Sequence, residues 1–292
     1  MNSYRQNVKN VKILLDTERI CYEGRYMYAG RNVELPRTQS TYHTAQSLEE
    51  YAAKIKAFNE SKDIQSYIKK DTRLIFDKAD TFTCVENTKF EATPLVLNFA
   101  SSVSPGGGVR NGASAQEEDL CRRSNLLQAL DTFEHHVLYY DKNRLDIPEM
   151  KFGTSDCILT KNVTVFKNRE YKLELPKTCD VITMAAPNLK TDPWDRGGTD
   201  EREYLDAFAA RIKYVFAVAA IFGYNDLVLG AWGCGAYRND PVTVAGMFNK
   251  AINLPEYRDR FRQIIFAIPT DNEKSRANYE IFAEKIKLEK PA

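Results

Sequence analysis

Four short apolar runs mark the second half of the chain, and each stops at a turn signal. Residues 94–100 (PLVLNFA) end before a glycine-rich turn, residues 181–186 (VITMAA) stop at Pro187 and Asn188, residues 227–229 (LVL) run into Gly230, and residues 263–268 (QIIFAI) are halted by Pro269. Runs of this length, bounded by Gly and Pro, predict buried strands. Between them apolar positions recur at helical spacing, as in Leu205, Phe208, Ile212, Val215, Phe216 and Ala219 before Gly223, with Asp200 and Glu203 as a capping pair. Asp240 and Pro241 read as the cap and first residue of another helix, and a last one is predicted over 273–287. Residues 1–80 differ: they are strongly charged, with helical patterns through Val8, Val11, Leu14 and Leu15 and from Leu48 to Phe58. A Tyr-, Arg- and Thr-rich stretch of short strands or loops lies between these two patterns.

Alternating strands and helices predict an α/β fold with a mostly parallel or mixed sheet covered by helices on both faces. The division expected is a mainly helical accessory segment over 1–80 packed on a core over 81–292. In such sheets a ligand sits beyond the carboxyl ends of the strands.

Composition narrows the class of protein without naming it. With 292 residues, 43% hydrophobic and 28% charged, the chain is an ordinary globular one. Lys and Arg total 41 against 40 Asp and Glu, which argues against a broad surface for nucleic acid while leaving room for a local phosphate pocket. The six cysteines (Cys21, Cys84, Cys121, Cys157, Cys179, Cys234) form no C-x-x-C pair, so neither a zinc site nor a disulfide framework is expected. The first residues lack the apolar core of a signal peptide, and residues 204–224 are interrupted by Asp206, Arg211 and Lys213. A reduced cytoplasmic protein is expected, or a nuclear one in a eukaryote, with no membrane partner.

The candidate chemistry lies in two glycine-rich loops at strand ends. In the first, Gly106, Gly107 and Gly108 carry no side-chain bulk, so the backbone can approach a ligand and offer N–H donors to phosphate or ribose oxygens. Such a run also serves as a plain tight connection. No Gly-Lys-Ser/Thr follows it, which excludes a P-loop. A helix is predicted to start at Ser114, with Leu120, Leu127 and Leu130 on its buried face. Ser114 and Glu117 have capping-box spacing, whereas Glu118 has no such duty. Adjacent helical residues point about 100° apart, so Glu117 and Glu118 are not expected to face each other as an ordinary glycosidase pair. One of them would enter the pocket while the other binds a hydroxyl or caps the helix. In the second loop Gly230, Gly233 and Gly235 precede the capped helix at Asp240, an arrangement suited to a diphosphate. Tyr237 offers a flat face to a ribose or base, Trp232 reads as core, and Cys234 reads as a packed thiol whose backbone matters. His135 and His136 read as surface or packing residues at a helix end.

Gly106-Gly107-Gly108, seven residues, then Gln116-Glu117-Glu118 resembles the signature of poly(ADP-ribose) glycohydrolases. Residues 97–124, 184–188 (MAAPN) and 229–241 (LGAWGCGAYRNDP) are similar to the microbial-type branch of that family, over roughly residues 80–285. The resemblance implies a macrodomain-like core that binds ADP-ribose with no metal and no cofactor. It implies Glu118 as catalytic acid and base, Glu117 on ribose hydroxyls, and Gln116 shaping the same wall. It places Gly106, Gly107, Gly108 and the stretch Gly233, Cys234, Gly235, Ala236 and Tyr237 around the diphosphate and distal ribose. Tyr237 stands where phenylalanine is common. The implied substrates are poly(ADP-ribose) or ADP-ribosylated protein, with ADP-ribose as product, a monomeric enzyme, and a role in reversing ADP-ribosylation after DNA damage. A hydrolase for single ADP-ribose groups and a non-catalytic ADP-ribose-binding module are the alternatives.

Overall fold

A computed structural model describes residues 2–61, 71–145, 151–190 and 201–289. Its centre is a seven-stranded mixed sheet ordered β3-β6-β7-β5-β8-β9-β4, beside a two-stranded antiparallel hairpin of β1 (Arg25–Tyr28) and β2 (Arg31–Glu34). The sheet strands are β3 (Gln39–His43), β4 (Arg73–Asp77), β5 (Leu95–Phe99), β6 (Cys157–Lys167), β7 (Leu173–Met184), β8 (Asp226–Leu229) and β9 (Gln263–Ala267). β7, β5, β8, β9 and β4 run parallel, while β3 and β6 add an antiparallel edge.

All four predicted strands are present, within a residue or two except for β7, which begins eight residues earlier as half of a hairpin with β6. That hairpin was hidden because its register shifts between Thr160 and Val163, where Asn162 adopts φ 61°. The shift breaks the period-2 pattern. β3 and β4 both come from residues before 81 and form the two edges of the sheet. The boundary expected at residue 80 therefore cuts through the sheet, and the first 80 residues are more than an accessory layer.

Period-2 side-chain alternation splits the core into two layers. On one face Leu95, Leu97, Leu227, Leu229, Ile264 and Phe266 pack against α2 (Ala45–Glu60), α7 (Glu201–Ile221), α8 (Pro241–Ile252) and α9 (Glu273–Lys285). On the other, Val96, Val181, Val228 and Ile265 pack against α1 (Asn2–Glu23), α3 (Thr81–Asn87), α4 (Gln116–Arg123) and α5 (Leu126–Leu130), followed by the short α6 (Phe133–His135). Each fully buried aliphatic or phenyl side chain contributes about 1.5–3 kcal/mol.

Helix ends follow the local chemistry. The Asp240 carboxylate accepts from Thr243 N–H with Pro241 in the first turn, and Asn272 forms a capping box with Ser275. Gly223, at φ 76°, ends α7 in the left-handed conformation. The expected cap Asp200 lies outside the described residues. Among the described residues no helix is long and apolar enough to cross a membrane.

Candidate active site

A cavity of about 660 Å³ opens at the carboxyl ends of β5, β7, β8 and β9. Both glycine-rich loops line it, together with the first turn of α4.

The two cavity carboxyls are set by α4. Its N-cap is Ala115, with no side-chain cap bond, so the expected capping box between Ser114 and Glu117 is absent. Glu117 turns inward because better donors lie there: one carboxylate oxygen accepts from Ser101 N–H at 2.7 Å and the other from Asn98 Nδ2 at 3.2 Å. Glu118 Oε1 accepts from Gly108 N–H at 2.9 Å, and its Oε2 is buried with no hydrogen-bond partner. The two side chains do converge, contrary to the expectation from helical geometry. A methyl carbon on Gly107 would sit 2.7 Å from Glu118 Oε1 and 3.1 Å from Glu117 Oε2. Long side chains on successive residues can bend to a common point even though their Cβ atoms diverge. Gly107 is therefore required twice over, for that space and for its φ of 59°.

Both carboxyls are almost wholly shielded from water, at 3% and 7% exposure. Burial pushes the Glu117 carboxyl up to about 8, opposed by the Ser101 and Asn98 donors and reinforced by the neighbouring Glu118. Near neutral pH the Glu117 carboxyl therefore keeps its proton.

Gln116 is spent on the scaffold. Its side-chain oxygen accepts from Phe99 N–H at 2.9 Å and its amide donates to Leu97 O at 2.9 Å and Thr81 Oγ1 at 3.1 Å. β8 pairs with β5 only through Leu95 and Val96, and the Gln116 amide continues the ladder beyond that point. It lines the cavity while its polar atoms hold β5.

Other expected site residues divide between cavity and core. Gly107, Gly108, Gly233, Gly235, Ala236 and Tyr237 line the cavity. Gly106 and Cys234 do not. A Cβ on Gly106 would meet Leu127, Val109 and Cys121, so that glycine permits close packing on the core. The Cys234 thiol is 1% exposed and faces the carbonyl of Trp232 at 3.6 Å, with burial pushing its pKa up to about 12. The Cys234 thiol is thus packed in the core, as its reading as a small packed thiol expects, and Gly106 lies against the core side of its loop. Trp232 is fully buried, edge-on to Phe208 at 5.2 Å, as expected of core. Tyr237 OH donates to Ala100 O at 3.3 Å, tying the second loop to the end of β5. His135 is buried, and His136 pairs with Asp131 at 2.7 Å.

Sequence reasoning missed two asparagines. Asn98, a lone polar residue in the apolar run of β5, holds Glu117 and also donates to Thr183 Oγ1 at 3.2 Å. Asn239 Nδ2 donates to Pro187 O at 2.9 Å and Gly233 O at 3.0 Å while its oxygen accepts from Tyr204 OH at 2.9 Å. This locks the end of β7 to the second loop. At the cavity mouth Arg169, from the β6–β7 turn, pairs with Asp271 across the opening and with Asp80 at 3.4 Å. Arg169 is the only cation among the described lining residues, against Asp80, Glu117, Glu118, Asp119 and Asp271. An anionic ligand there would rely mainly on backbone N–H donors of the two glycine-rich loops.

The sequence profile of the microbial-type PARG catalytic domain matches residues 15–168. The chain belongs to that family. Among solved structures it is similar to the poly(ADP-ribose) glycohydrolase (PARG) of Thermomonospora curvata, with 25% identity, a TM-score of 0.80, and coverage of 95% of this chain and 99% of that one. The same PARG bound to the inhibitor ADP-HPD aligns at 26% identity and TM-score 0.78, with the same coverage. The PARG of Deinococcus radiodurans in complex with ADP-ribose aligns at 27% identity and TM-score 0.72, covering 84% of this chain and 93% of that one. No curated protein sequence matches the chain. The PARG family profile spans both carboxylates and the first glycine loop, while the second loop lies beyond its matched residues.

Proposed function

We propose that the chain hydrolyses the ribose–ribose O-glycosidic bonds of poly(ADP-ribose) and releases ADP-ribose. The observation that carries this reading is the convergence of two buried carboxyls on Gly107 with unequal engagement. Glu117 has both oxygens held by N–H donors, whereas Glu118 is pinned through one oxygen and leaves Oε2 without a partner. A carboxyl held by one oxygen is oriented and still free to exchange a proton with a substrate oxygen.

Glu118 then protonates the departing ribose oxygen as the glycosidic bond breaks. Its carboxylate next removes a proton from the water that attacks the anomeric carbon, which restores the acid. Proton transfer of this kind contributes about 10²–10⁴-fold. Glu117 holds ribose hydroxyls, and Gly107, Gly108 and the loop from Gly233 to Tyr237 contain the diphosphate, with the Tyr237 ring against the distal ribose. Stabilisation of the oxocarbenium-like transition state by this fixed polar surround supplies the remainder.

The test is incubation with purified poly(ADP-ribose), alongside a protein carrying single ADP-ribose groups. Free ADP-ribose from the polymer is expected. Release only from the singly modified protein would assign the site to that linkage, and tight ADP-ribose binding with an intact polymer would make the protein a binding module.

A further inference from the structure

We propose that α1 is a strap that holds the first glycine-rich loop and the far end of the proposed catalytic helix, with Asn10 and Thr17 as positioning residues for Glu118. This rests on the reading of Glu118 given above. Asn10 and Thr17 lie seven residues apart on the buried face of α1, with Leu14 between them. Seven residues are close to two helical turns, so the two side chains project in one direction.

Each reaches a backbone carbonyl flanking the active-site carboxyls. Asn10 Nδ2 donates to Gly112 O at 2.8 Å, just before α4 begins, and Gln6 Nε2 donates to Asn10 Oδ1 at 2.9 Å, which fixes the direction of the amide. Thr17 Oγ1 donates to Arg122 O at 2.6 Å at the far end of α4, and Lys167 Nζ donates to the same hydroxyl at 2.8 Å, aiming its proton at the carbonyl. Contact with the first loop is direct: Gly112 has φ 78°, and a Cβ there would lie 2.3 Å from Asn7 O. α1 therefore sits on the loop through backbone rather than through long side chains.

From these two grips a short path leads to the reacting group. Arg122 Nη1 donates to Ala113 O at 2.6 Å, Ala113 N–H donates to Gly108 O at 3.2 Å, and Gly108 N–H donates to Glu118 Oε1 at 2.9 Å. Releasing Gly112 or Arg122 slackens the loop that carries the Gly108 donor, and the Glu118 carboxyl loses its fixed direction. Asn10 precedes the residues 15–168 that the family profile matches, so family membership does not assign it this duty.

The test uses Asn10→Leu, which keeps side-chain volume and removes the donor, and Thr17→Val, which removes only the hydroxyl. Leu15→Ala, on the exposed face of α1, serves as the control. The expected result is a loss in kcat of about ten- to hundredfold for each variant, the penalty of misplacing a reacting group by up to an ångström. ADP-ribose Kd should stay within about twofold and the control should be unaffected. Amide exchange over 106–114 should accelerate in both variants while exchange in β8 and β9 stays at the wild-type rate. A folded Thr17→Val protein with wild-type kcat and wild-type exchange over 106–114 overturns the strap. Should wild type itself release no ADP-ribose, the glycohydrolase reading fails separately. The exchange measurement then still decides whether α1 holds the loop.

Discussion

Replacing Glu117 with glutamine removes a buried ionisable group while keeping its shape, so it should change how stability depends on pH. In the folded protein the Glu117 carboxyl is pushed from 4.5 to about 8, chiefly by burial. Its folded pKa lies above its unfolded one, so between these values the folded state binds more protons and stability falls as pH rises. At about 1.36 kcal/mol per pH unit, this single carboxyl costs about 3–4 kcal/mol between pH 5 and pH 8. The variant has no such proton to lose. Urea denaturation of both proteins at half-unit steps over that range should give stability curves that diverge with pH, the variant gaining on wild type by about 3–4 kcal/mol at the alkaline end. Titrating groups that do not interact with Glu117 are common to both and cancel in the difference. Parallel curves across the whole range would refute the claim that Glu117 is held protonated near neutral pH.

Other perturbations have clear directions. Gly107→Ala forces a methyl group to 2.7 Å from Glu118 Oε1 at a φ of 59°, so ADP-ribose release should fall at least a hundredfold and stability by about 1–3 kcal/mol, read by initial rates and thermal melts. Asn239→Leu leaves the Pro187 carbonyl without its side-chain donor, while Gly233 O keeps only the backbone N–H of residue 239, at 3.1 Å. It should cost about 1–3 kcal/mol and weaken ADP-ribose binding by calorimetry, through a loosened second loop.

Much of the fold is legible where hydrophobic runs are long and bounded by Gly or Pro. β5, β8 and β9 are such runs, and the capped helices beginning at Pro241 and Glu273 carry their stop and start signals in the chain itself. β4 is not legible, and β3 only as part of a stretch of short strands or loops, because edge strands expose part of their surface and carry residues such as Arg73 and Asp77 that blur the pattern. The two carboxylates could be found because the glycine run and the Gln-Glu-Glu run are close in sequence. Their convergence could not, since it depends on side-chain torsions and on where Ser101 N–H happens to point. Asn98 and Asn239 show the same limit. Each acts on backbone groups distant in sequence, and only the folded chain brings donor and acceptor together. Gly106 and Cys234 belong to the same loops but lie on the core side of them, a distinction that sequence proximity does not carry.

The most direct measurement is release of free ADP-ribose from purified poly(ADP-ribose) by wild type and Glu118→Gln, with calorimetric binding of ADP-ribose to both. Wild type should release ADP-ribose, while the variant should bind it within severalfold of wild type and release it at least a hundredfold more slowly. A Glu118→Gln protein that releases ADP-ribose at the wild-type rate would contradict the assignment of Glu118 as the proton donor.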